Sequence, residues 1–81
     1  MRRDDAVTAL DVLQAARKAT EFLGDLDLDS FLEDEKTQAA VLHQLLVVGE
    51  AVKRLSPGFR DARPEIPWTK IAGMRDVLIH A

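Results

Sequence analysis

An arginine and a histidine stand five positions apart in Arg75-Asp76-Val77-Leu78-Ile79-His80, with an apolar spacer between them. Arginine carries a permanent positive charge on a fork that fits phosphate oxygens, and imidazole titrates near neutrality. On one helix, five positions separate the two residues by about 140° in rotation and about 7.5 Å in rise. That spacing suits two ligands of a single ion poorly, since those favour three or four positions. It suits a long arginine gripping a phosphate while a shorter histidine moves a proton nearby.

RNA cleavage is a reaction with those needs. The 2′-hydroxyl must lose a proton and the departing 5′-oxygen must gain one, and a histidine near its pKa can serve either step. Arg75 would neutralise charge building on the phosphoryl oxygens. One such histidine per chain leaves the second proton transfer without a group, and a two-fold dimer would supply it. The bland reading is that His80 is only a helix-end residue, where the dipole and free carbonyls favour imidazolium. An Arg-x4-His spacing by itself is weak evidence, so the surrounding chain has to carry the argument.

That chain is 81 residues long, enough for one small domain spanning residues 1–81. Apolar residues make up 47% and charged ones 31%, an ordinary globular balance. Gly and Pro are few, at 4 and 3, which favours helix. No cysteine is present, which excludes disulfides and thiolate metal sites. With two histidines in the whole chain, a zinc site is not expected, and no metal or other cofactor is assigned. The beginning, Met1-Arg2-Arg3-Asp4-Asp5, has no signal-like apolar run, and no stretch reaches membrane-spanning length, so a cytoplasmic protein without a membrane partner is expected.

The net charge of -3 is unevenly spread. Glu21, Asp25, Asp27, Asp29, Glu33, Asp34 and Glu35 form a block free of Lys and Arg. From Lys53 to Arg75 the balance reverses, with Arg54, Arg60, Arg63 and Lys70 between them against Asp61 and Glu65. Such asymmetry marks either a face that meets phosphate or simply solvated surface. The three aspartates do not read as a calcium loop: counted from Asp25, the glycine position falls on Ser30 and the glutamate position on Lys36.

Periodicity sets out the elements that must position Arg75 and His80. The spacing predicts a first helix over residues 4–23, with Asp4 and Asp5 at its positive end, Val7, Leu10 and Leu13 in its apolar stripe, and Gly24 as its stop. Asp27 or Asp29 is a candidate cap for a one-turn helix bearing Phe31 and Leu32. A second long helix, over residues 35–55, has the broad stripe of a central core element. Within it Gly49 suggests a close crossing, Glu50 is read as exposed, and His43 as a boundary residue. Ser56-Pro57 reads as a cap and first helical position, Pro64 as a stop, and Pro67 as the restart of a last helix burying Trp68, Ile71, Met74 and Leu78. No strand or repeat is expected.

Three stretches together carry a resemblance: residues 31–41, the run Val48-Gly49-Glu50-Ala51-Val52-Lys53-Arg54-Leu55-Ser56, and the block from Pro64-Glu65-Ile66-Pro67-Trp68 through Arg75-x4-His80. The chain resembles the HepT-like family of the HEPN superfamily, small α-helical ribonucleases acting as toxins in prokaryotic toxin–antitoxin pairs. The resemblance implies an all-α, up-and-down helical bundle that dimerises and cuts RNA without metal, as in type II or VII-like pairs. It implies Arg75 and His80 as the catalytic pair, with Asp76 in the polar position after the arginine. It also implies a minimal nucleotidyltransferase antitoxin, which binds the toxin or adenylylates a tyrosine two residues past the histidine. That tyrosine has no counterpart here, and the family's C-terminal helix is not represented in the 81 residues.

Three readings follow. The chain is an RNA endonuclease toxin, with His80 as general acid/base and Arg75 as phosphate clamp. Alternatively it is a weakly active or inactive module that docks a nucleotidyltransferase. In a third reading it is a structural helical dimer, in which a missing helix exposes part of the stripe of Val41, Leu45, Val48 and Val52.

Overall fold

The computed structural model describes the backbone of residues 3–80 and, within that span, all side chains except those at positions 3, 75 and 77–80. Five helices follow one another: α1 (Arg3–Leu23), α2 (Leu28–Leu32), α3 (Glu35–Lys53), α4 (Pro57–Asp61) and α5 (Trp68–His80). No strand occurs among the described residues, so the all-α expectation is met. The long helices begin and end within two residues of where periodicity placed them.

Local chemistry accounts for the boundaries. Gly24 takes a left-handed φ of 57° and donates its N–H to the Thr20 carbonyl at 3.0 Å, closing α1 as a helix-ending glycine does. Asp27 caps α2 by accepting from the Ser30 N–H at 2.8 Å. Asp34 caps α3, accepting from the Thr37 N–H at 3.0 Å and its hydroxyl at 2.7 Å. Ser56 caps α4 with Pro57 at the first position, as expected. Pro67 sits one residue earlier than expected: α5 opens at Trp68, and Pro67 contributes the carbonyl that accepts from the Ile71 N–H at 3.1 Å.

The central helix is α3, which packs against α1, α2 and α5. Its buried residues are Gly49, Ala51 and Val52, joined in the core by Leu55, Ala15 and Ala19. Of the α3 stripe expected to lie partly open, Val52 is buried, while Val41, Leu45 and Val48 are half-buried.

The face of α1 is also the reverse of the one its apolar residues suggest. Asp5, Thr8, Ala15 and Ala19 are buried, with Val12 half-buried among them, giving a stripe at positions 5, 8, 12, 15 and 19. Val7, Leu10 and Leu13 point outward, 55%, 57% and 51% exposed. Both stripes obey helical spacing, and α3 takes the smaller one, because Ala and Thr let two helix backbones approach closely.

Asp5 explains part of that choice. Read from the sequence as a helix-dipole residue, it is 2% exposed and reaches residues far along the chain. Its carboxylate accepts from the Ser56 N–H at 2.9 Å and the Ser56 hydroxyl at 2.6 Å. Burying the α1 face that holds Asp5 thus fastens the start of α1 to the cap of α4.

Candidate functional site

Positions 75, 76 and 80 all lie on α5, the helix that Pro64 and Pro67 set apart from α4. The side chains of Arg75 and His80, and that of Leu78, expected in the buried face, lie outside the described residues. What is described is the frame around them. Asp76 is exposed on α5, and the Lys53 ammonium at the end of α3 stands 3.8 Å from its Oδ1. Both partners are largely open to water, so the pair adds little stability. Its meaning is positional, since it sets an α3 cation beside the Arg-x4-His stretch. The sequence counted Lys53 among the basic residues, but nothing local pairs it with a residue 23 positions on.

The first turn of α5 is held by Trp68. Its indole N–H donates to two carbonyls, Arg60 in the last turn of α4 at 2.9 Å and Arg63 just past that helix at 3.0 Å. Phe59 meets its ring edge-on, with centroids 6.1 Å apart and planes at 64°. Trp68, Ile71 and Met74 are half-buried rather than fully enclosed as expected. Trp68 therefore acts as a brace between α4 and α5, which was not legible from its place in the apolar stripe.

Beside this brace is an open cleft of about 560 Å³, lined by Arg60, Asp61, Pro64, Ile66, Pro67, Trp68, Thr69 and Lys70. Farther along α5, a Cβ added at the half-buried Gly73 would meet no described atom within 4 Å. His43, placed by periodicity at a core boundary, is exposed, on a shallow hollow with Leu46, Val47, Glu50 and Arg54. Among the described residues no group of three or more His, Asp or Glu is arranged to hold a metal ion. No described helix is long and apolar enough to cross a membrane.

The described residues form helices only, with the Arg-x4-His stretch on the last of them and Lys53 and Lys70 on or beside that helix. The chain belongs to the HepT-like ribonuclease family: the family model described as Ribonuclease HepT-like matches residues 12–81. It is 41% identical over 81 residues to the probable ribonuclease HepT of Thermococcus cleftensis, covering 100% of this chain and 74% of that one. A Methanocaldococcus jannaschii protein carried under the provisional name RNase MJ0127 is 40% identical over 79 residues, 98% of this chain and 65% of that one. A relative from Caldanaerobacter subterraneus, also provisionally named an RNase, is 38% identical over 69 residues, 85% of this chain and 62% of its own. Among those three relatives the chain spans from 62% to 74% of the partner's length. No solved structure matches it.

Proposed function

We propose that residues 1–81 form one HEPN-type domain that cuts RNA in the cytoplasm as a homodimer, without a metal ion. The observation that carries this reading is membership of the HepT-like ribonuclease family together with the place of Arg75 and His80 on one helix, α5. Arg75 binds the scissile phosphate and offsets the charge that grows on its oxygens. His80 of one protomer takes the proton from the 2′-hydroxyl as that oxygen attacks phosphorus. His80 of the other gives a proton to the 5′-oxygen as its bond to phosphorus breaks. Asp76, in the polar position after the arginine, places the Lys53 ammonium beside the stretch. In the cell the domain acts as a toxin restrained by a minimal nucleotidyltransferase, the pairing the family implies.

The test is cleavage of a mixed RNA by the purified chain, with Arg75→Ala and His80→Ala beside it. The reading expects loss of cleavage in both variants. If the wild-type chain cuts nothing yet binds a nucleotidyltransferase, the docking-module reading replaces it.

A further inference from the structure

The cleft between α4 and the first turn of α5 brings together groups that the cleavage step does not use. Arg60 and Lys70 both line it, and neither makes an ion pair with a described residue. The Nε of Arg60 is sealed from solvent and has no hydrogen-bond partner among the described residues. Trp68 lines the same cleft, with its indole N–H already committed to the Arg60 and Arg63 carbonyls. What the ring has left to offer is therefore its π surface. Thr69 adds a hydroxyl, and Pro64, Ile66 and Pro67 complete an apolar wall. Asp61 is the single carboxylate of the lining, leaving two cations against one anion.

An aromatic face, two cations and a proline-rich wall match one ligand class well, a nucleotide with its base unstacked from a strand. Bases of every kind stack on aromatic rings, and lysine and arginine follow the phosphates. We propose that this cleft is a subsite for one unpaired ribonucleotide of the RNA strand, its base against Trp68 and its phosphate between Arg60 and Lys70. The inference rests on the ribonuclease reading and extends it by naming where the strand is held away from the reaction. A route between the two places follows from helix geometry. At about 100° per residue, positions 69, 73, 76 and 80 fall on one face of α5. Gly73 puts no side chain on that face and a Cβ there would meet no described atom within 4 Å, so a strand can pass close to the helix between the cleft and position 80.

The chain carries its own reporter, because Trp68 is the only tryptophan and there is no tyrosine. The probe is a short 2′-O-methyl oligoribonucleotide, which cannot be cut, titrated against the full chain while Trp68 emission is read. The subsite predicts quenching, and binding roughly tenfold weaker for an abasic strand with the same phosphates, since stacking is lost. Lys70 is exposed, so Lys70→Gln keeps the fold; it weakens binding and lowers the slope of log K against log salt by about 0.7. Arg60→Gln weakens binding in the same direction, and His80→Ala leaves the quench in place. Cleavage by the wild-type chain without any quench, or quenching unaltered by Lys70→Gln, overturns the subsite while leaving the ribonuclease reading intact. Equal quenching by an acidic peptide overturns the assignment to a nucleotide. Quenching that follows these variants in a chain that cuts no RNA upholds the subsite and defeats the ribonuclease reading instead.

Discussion

Two short helices, α2 and α4, share a design and differ in how they are tethered. Each is five residues long, each follows an N-cap whose side-chain oxygen accepts from a backbone N–H three residues on, and neither contains a buried residue. Beyond the cap they part. The nearest tie of α2 to the rest of the chain is the Gln38 amide donating to the Phe31 carbonyl at 2.8 Å, across seven positions. Its Leu28 and Leu32 are 69% and 62% exposed, and the carboxylates Asp25, Asp29 and Glu33 surround them. α4 is tied from both sides instead: Asp5 holds its cap from 51 positions away, and Trp68 on α5 donates to the Arg60 carbonyl in its last turn and to Arg63 just past it. A cap starts a helix, but side chains from elsewhere decide whether that helix is part of a working frame.

The largest test of this contrast is Asp5→Ala. It removes a buried acceptor and leaves the Ser56 N–H and hydroxyl proton without the acceptor they share, at an expected cost of about 3 kcal/mol in a urea titration. Trp68→Phe keeps the edge-on partner for Phe59 but removes the donor to the Arg60 and Arg63 carbonyls. It should cost about 1–2 kcal/mol and lower cleavage through a loosened α5. Leu28→Ala, on the other short helix, should change global stability by no more than about 0.5 kcal/mol. A loss matching that of Asp5→Ala would show α2 to be as firmly built in as α4.

The smallest effect is one of pH. The Ser30 N–H first, then its hydroxyl, hold the Asp27 carboxyl below the ordinary carboxylate range. A group lowered in this way stabilises the folded state above its unfolded pKa, and the contribution fades as pH falls through the folded value. Amide exchange within α2 should therefore keep its protection through weakly acid pH and lose it only below the usual carboxylate range. Asp27→Asn should flatten that response. Asp34 is lowered for the same reason by the Thr37 N–H and hydroxyl, so the start of α3 should share the profile.

What the sequence made legible was local. Caps at Asp27 and Ser56, the stop at Gly24, the prolines around α4 and the helical periods of α1 and α3 all express chemistry within a few residues. Contacts across the chain were not legible. Asp5 looked like any acid at a helix start, because its partner Ser56 lies on another element. On α1 the wrong stripe looked buried: Val7, Leu10 and Leu13 are the more apolar set, yet the partner helix admits the slimmer one. Lys53 beside Asp76, and Arg60 and Lys70 around Trp68, are pairings made only when α3, α4 and α5 meet. The Arg-x4-His stretch was readable as a candidate because its two residues share a helix and its surroundings carry a family pattern.

The account turns on His80 transferring protons in a reaction that uses no metal. Cleavage of a single-stranded RNA should be followed in excess EDTA, with wild-type chain and a His80→Ala variant shown by circular dichroism to be equally folded. The account predicts that wild-type cleavage persists and that the variant is slower by about 100-fold or more. Cleavage abolished by EDTA, or a variant that cuts as fast as the wild type, would contradict it.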